Sequence, residues 1–150
     1  MRNAMPACSD DRERLLKRLA FGARFWNLRR EEDPDTPIVL DGAELDGLIL
    51  TGINFSGSSL RGASMHATNL MNADLQHADM TGANLSEADL IGASLRGAVL
   101  TGANLREADL LNADLHEARY SDHDLQGALH VPHTPTVRGG LRFYLEEGEP

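Results

Sequence analysis

The sequence predicts an all-β solenoid: a four-sided coil stacked on itself, with a helix over its first end and a short cap or hairpin at the other. Three observations lead there. From Leu45 to Leu125 a large apolar residue stands at every fifth position, as at Phe55, Met65, Leu75, Leu85, Leu95, Leu105, Leu115 and Tyr120. A small residue, usually alanine, stands two places before most of them, as at Ala73, Ala83, Ala93 and Ala103. TGANL at 81–85 returns at 101–105, and SEADL at 86–90 returns as READL at 106–110, a longer period of twenty.

A step of five suits neither regular element. On an α-helix it turns about 500°, so the leucines would wind around the axis without forming a stripe. On a straight strand, successive leucines would face opposite ways. The pattern works if the chain bends once per block. Alanine and leucine then share the inner face, the residue between them points out, and the last two residues make a corner. Those corners are often X-Gly, as at Thr51-Gly52, Arg61-Gly62 and Arg96-Gly97, and glycine tolerates the positive φ that a tight bend requires. Four blocks per turn of the coil explain the period of twenty.

The A-[DN]-L-X-X pattern, written out as TGANL, SEADL and MNADL, resembles the pentapeptide repeat family over more than half of the chain. The resemblance implies a right-handed quadrilateral β-helix. Eighteen blocks, counted from that of Leu40, make about four and a half coils, or a rod about 20 Å long at ~4.8 Å per coil.

In chain order, residues 1–8 are expected to be disordered. Residues 10–29 predict one amphipathic helix, capped by Ser9 or by an Asp10–Glu13 box, with Leu15, Leu19, Ala23 and Trp26 on one face. It serves as a lid, because a solenoid ends in an open apolar disc. The segment from Glu31 to Pro37 ends the helix and links it to the coil, giving an N-terminal unit of 1–37, a repeat of 38–127 and a C-terminal cap or tail of 128–150. Leu48 and Ile53 stand where alanine is usual and predict a wide or irregular first coil. After Gly127, Thr136 to Leu145 predicts two short strands about Gly139-Gly140. Leu141, Phe143 and Leu145 alternate there as a candidate dimerisation surface. Residues 146–150 are expected to be a loose tail.

The net charge of −9 sits on the repeat: residues 41–127 carry four basic and thirteen acidic groups. That sign excludes direct nucleic-acid binding by the repeat. No apolar run is long enough for a membrane span, no leader precedes the helix, and Cys8 is alone, so the cytoplasm is the expected location. A single lysine among many arginines and alanines points to a GC-rich bacterium.

Ser121, His123 and Asp124 are triad residue types, but adjacency in sequence is not triad geometry. His130-x-x-His133 is a loose metal spacing without a second ligand pair. His66, His77 and His116 are expected on different sides. No phosphate loop is present, and no catalytic residue, metal or cofactor is expected. Stacking at twenty places Glu87 under Glu107 and Asp89 under Asp109, with Asp114 and Glu117 on the next side. Together they form an acidic ridge suited to a protein partner with a basic groove. The expected function is therefore a non-enzymatic protein-interaction module. The family resemblance adds an alternative, a DNA mimic acting on bacterial type II topoisomerase (DNA gyrase) and conferring quinolone or toxin resistance.

Overall fold

The computed structural model describes residues 9–132, 136–138 and 141–143, with side chains over 12–132. The expected disorder of 1–8, the Asp10–Glu13 capping box, the Gly139-Gly140 turn and the loose 146–150 lie outside the described residues, as do Leu145 and His133.

Each block makes one extended residue and one turn. The turn is closed by a bond such as Ala43 N–H to Leu40 C=O, 3.0 Å, with its third residue at positive φ. Outward residues pair in parallel with those twenty positions on, which defines four faces. The first runs Val39, Ser59, Asp79, Val99, Arg119, and the second Glu44, Ser64, Asn84, Asn104. The third runs Ile49, Asn69, Asp89, Asp109, Leu129, and the fourth Asn54, Asp74, Ser94, Asp114. The inward leucines and alanines from Leu40 to Tyr120 form one continuous core. Alanine leaves room for the facing walls, and close packing accounts for the strictness of the pattern.

Glycines hold most second corner positions, with φ near +65° as at Gly57 (65°). The same left-handed conformation is imposed on Ala67, Asn72, His77, Glu87, Glu107, Asn112 and Glu117. At Gly97 glycine is needed for a second reason, since a Cβ there would run into the His77 imidazole.

The predicted single helix is two: α1, Ser9–Leu19, and α2, Ala23–Glu32. Gly22, at φ 89°, breaks it, and its N–H bonds the Leu19 carbonyl at 2.9 Å. The face is as expected, with Leu19 and Trp26 buried and Leu15 and Ala23 packed against the core. Trp26 meets the Phe55 ring edge-on, 5.3 Å between centroids.

The first coil is hydrogen-bonded as regularly as the rest, contrary to the expected irregularity. Ile53 is fully buried, whereas Leu48 stays 37% exposed at the open end of the stack. Elsewhere an outward residue bonds the preceding coil, as Asp74 N–H does to Ile53 C=O (2.8 Å), while Phe55 N–H donates to Asp74 C=O (2.8 Å). The first coil has no predecessor. On its fourth face, side chains of α2 stand in for one. Asn54 N–H donates to Asn27 Oδ1 (2.8 Å), Trp26 Nε1 donates to Asn54 C=O (2.8 Å), and Arg30 Nη2 donates to Ser56 C=O (2.7 Å). Every group that a preceding coil would have bonded on that face has a partner.

At the far end the regular pairing of outward residues runs to Arg119, and the chain departs from it after Tyr120. The alanine place is taken by His123, which is exposed, and Asp124 is buried instead. Gly62 and Gly82 donate to the carbonyls of Thr81 and Thr101, but Gly102 N–H donates to Asp124 Oδ1 at 3.0 Å. A carboxylate thus replaces the missing backbone acceptor. The chain then returns to the third face, with Leu129 N–H on Ala108 C=O at 2.8 Å. Beyond it β1, Thr136–Arg138, pairs antiparallel with β2, Leu141–Phe143, in the expected hairpin.

Candidate functional site

The acidic residues occupy the corner between the second and third faces, the third face, the fourth face and the corner beyond it. Asp89 pairs directly with Asp109, and Glu87 N–H bonds the Arg106 carbonyl at 2.9 Å, which stacks Glu87 against Glu107 at the corner between the second and third faces. Asp114 lies on the fourth face and Glu117 at the corner beyond it. The three glutamates are exposed and the three aspartates partly so.

The aspartates do local work. Asp89, Asp109 and Asp114 each accept, through Oδ1, the N–H two residues on, at 3.1, 3.0 and 2.9 Å. This is the bond by which Asp or Asn fixes a turn. Asp109 is also engaged by His130, whose Nδ1 lies 2.8 Å from Oδ1. Hydrogen bonds from His130 and from the Leu111 N–H hold the Asp109 carboxyl below its ordinary range, against an opposing effect of burial and with the His130 charge adding least. The column therefore offers fewer free carboxylates than its sequence promises. Arg96 reaches Asp114 at 3.6 Å and Arg106 reaches Glu107 at 3.7 Å, both exposed pairs of small energetic weight.

The glutamates have no such local duty. Glu87, Glu107 and Glu117 stand at φ 59°, 60° and 59°, where the repeat elsewhere prefers glycine. A side chain in that conformation costs about 1–2 kcal/mol.

Ser121 Oγ donates to Asp124 Oδ2 at 2.9 Å while His123 is exposed, so these residues form a turn and not a triad. His123 and Asp124 border an open cleft of about 730 Å³ that Leu105, Arg106, Gln126 and Gly127 also line. Among the described residues no cluster of His, Cys, Asp and Glu is able to hold a metal. His77 and His116 share a corner, contrary to expectation: His77 packs over Gly97, whose N–H bonds the His116 carbonyl at 2.9 Å.

One feature went unseen in the sequence. The first corner position between the third and fourth faces carries Thr51, Met71, Ile91 and Leu111, stacked by Gly52 N–H to Met71 C=O (2.8 Å), Asn72 N–H to Ile91 C=O (2.9 Å) and Gly92 N–H to Leu111 C=O (2.9 Å). The equivalent positions of the other three corners, from Asp41 to His116, are all polar. Reading every twentieth residue through the corners would have found it.

Fold and surface define a four-sided β-solenoid with a charged exterior. The family model for pentapeptide repeats matches residues 39–76, 49–86, 68–106 and 93–129, more than half of the chain, which belongs to the pentapeptide repeat family. Members of this family are right-handed quadrilateral β-helices. Among solved structures, a pentapeptide repeat protein of the Arabidopsis thaliana thylakoid lumen is 34% identical, over 61% of this chain and 60% of that one, with a TM-score of 0.54. HetL from Nostoc, a pentapeptide repeat protein involved in heterocyst differentiation regulation, is 32% identical over 61% of this chain and 49% of its own, TM-score 0.33. QnrB1, a plasmid-mediated fluoroquinolone resistance protein, is 20% identical over 61% and 52%, TM-score 0.35, a likeness of fold alone. This chain thus spans 60% or less of the first two solved relatives. No curated protein matches its sequence. Among the described residues no helix is long and apolar enough to cross a membrane.

Proposed function

We propose that this protein is a non-enzymatic interaction module that presents an acidic surface, centred on the third face, to a basic groove on a protein partner. The observation that carries the reading is the placement of Glu87, Glu107 and Glu117 in left-handed backbone. Strain at a position where glycine is the easier choice points to a side chain retained for its chemistry. Glu87, Asp89 and Glu107 form the centre of the surface, with Asp109, Asp114 and Glu117 at its edges. A cytoplasmic site of action is part of the proposal, and the lone Cys8 supports it.

Affinity capture from the native host, with the wild type and with Glu87→Gln/Asp89→Asn/Glu107→Gln, tests the reading. The triple variant should melt at the same temperature or higher and lose the partner. A partner held equally by both proteins at low salt would remove the acidic surface from consideration.

The second reading, a DNA mimic directed at gyrase, is favoured by the excess of nine acidic charges on the repeat. A stack about 20 Å long matches only about six base pairs of DNA, which makes it a short mimic. A supercoiling assay with added protein separates the two, because the first reading predicts no effect on gyrase. Dimerisation through Leu141, Phe143 and Leu145 of the hairpin segment is part of the proposal, and sedimentation of a chain ending before Thr136 tests it.

A further inference from the structure

The apolar corner has a composition that the fold does not require. Threonine fills the same place at Thr51, Thr81 and Thr101, so Met71, Ile91 and Leu111 are not needed to make the turn. Met71 and Ile91 are partly exposed and Leu111 is 42% exposed, three aliphatic side chains in successive coils. At the first coil the corner position is Thr51, and α2 lies beside it. Leu28, 53% exposed, lines a shallow cleft with Thr51, and Phe25 stands one helical turn before it at 55% exposure. Carboxylates flank the stripe on both sides, Asp89 and Asp109 on the third face and Asp74 and Asp114 on the fourth. Asp109 is engaged by His130 and Asp114 by Arg96, while Asp74 and Asp89 have no ion pair among the described residues.

We propose that the Met71–Ile91–Leu111 corner docks a basic amphipathic helix of another protein, its apolar stripe on the corner and its lysines or arginines over the flanking aspartates. Spacing supports a helix. Three coils at ~4.8 Å place the outer two side chains about 10 Å apart, and two helical turns span about 11 Å, so one apolar residue per turn meets one per coil. The stripe is one side chain wide, which matches the narrow apolar seam of a helix and not a flat face. Charge decides the occupant. A second copy docked on this corner would oppose Asp74 and Asp89 to their own kind, and an anionic lipid surface would meet the same repulsion. The inference rests on the acidic-surface reading only for the sign of the partner's charge.

The test uses the full chain and two synthetic peptides of leucine and lysine, about four helical turns long. One has its leucines at helical i, i+3/i+4 and i+7 spacing, and the other has the same composition with its leucines dispersed around the helix. Fluorescence anisotropy should show the wild type preferring the amphipathic peptide by about tenfold. Met71→Thr/Ile91→Thr/Leu111→Thr should erase that preference while keeping its thermal melt and a weak, salt-sensitive affinity for both peptides. Leu111→Thr alone provides the same comparison with the smallest risk to folding, and should reduce the preference. Equal binding of the two peptides by the wild type, or a preference unchanged in the triple variant, overturns the proposal. So does sedimentation showing a wild-type dimer that the triple variant cannot form, since the occupant would then be a second copy. The charge variant Glu87→Gln/Asp89→Asn/Glu107→Gln reports separately. If it binds both peptides more weakly but keeps the preference, the corner proposal stands. If it binds as the wild type does, the acidic-surface reading fails while the corner is still judged on the preference.

Discussion

Replacing Asn27 by alanine isolates the means by which α2 holds the first coil. Its carboxamide makes two bonds, accepting from Asn54 N–H and donating to Gly52 C=O, both at 2.8 Å. Both are partly buried, and alanine leaves a strand-edge N–H and a carbonyl unmatched. Leaving a buried polar group unmatched costs about 1–3 kcal/mol, and partial exposure puts each of these at the low end, so the pair costs about 2 kcal/mol. For a chain of 150 residues that lowers Tm by about 4–8 °C. Asn27→Asp keeps the acceptor and loses the donor, and should fall roughly midway between the two. Calorimetric or circular-dichroism melts read all three proteins. An Asn27→Ala protein that melts with the wild type would refute the share of the first-coil edge assigned to Asn27, leaving the bonds of Trp26 and Arg30 and the burial of Trp26 to hold α2.

Ser58 stands in an alanine place with its hydroxyl buried and unpartnered, so Ser58→Ala should stabilise the fold by about 1 kcal/mol, read in a denaturant titration. Glu87→Gly should stabilise the fold by about 0.5–1 kcal/mol after the entropy cost of glycine, because it relieves a left-handed residue at φ 59°, and the gain is read as a higher Tm. Gly97→Ala should cost more than Gly57→Ala: both pay for positive φ, but only the first runs into His77, a difference that paired melts measure. The Asp109 carboxyl titrates lower in the folded chain than in the unfolded one, so its stabilisation is present above about pH 4 and is lost as pH falls through the folded value. Asp109→Asn should therefore flatten the acid limb of a stability–pH curve between about pH 4 and lower values.

The sequence by itself determined the repeat. A period of five with a small residue two places before each leucine leaves one geometry, because only a bend in every block turns all the apolar residues inward. From that followed the four faces, the order of the core, the stacking of Asp89 on Asp109 and of Glu87 on Glu107, and the two terminal segments outside the repeat. The twenty-residue column is equally legible at the corner of Met71, Ile91 and Leu111, although these side chains stand outside the Ala–Leu register that marks the core.

The tertiary structure decided what happens where the period stops. Gly22 splits the helix, yet nothing in the amphipathic pattern marks the split, since Leu19 and Trp26 remain on the buried side. Trp26, Asn27 and Arg30 bond a strand edge more than twenty residues away, and Asp124 bonds Gly102 in the coil beneath. His130 likewise takes Asp109 out of the free acidic ridge. Each of these contacts satisfies a backbone or charged group that the missing next coil leaves over. A periodic sequence states how coils meet one another, but its ends meet residues that occur once, and pairings between single residues carry no repeat from which to read them.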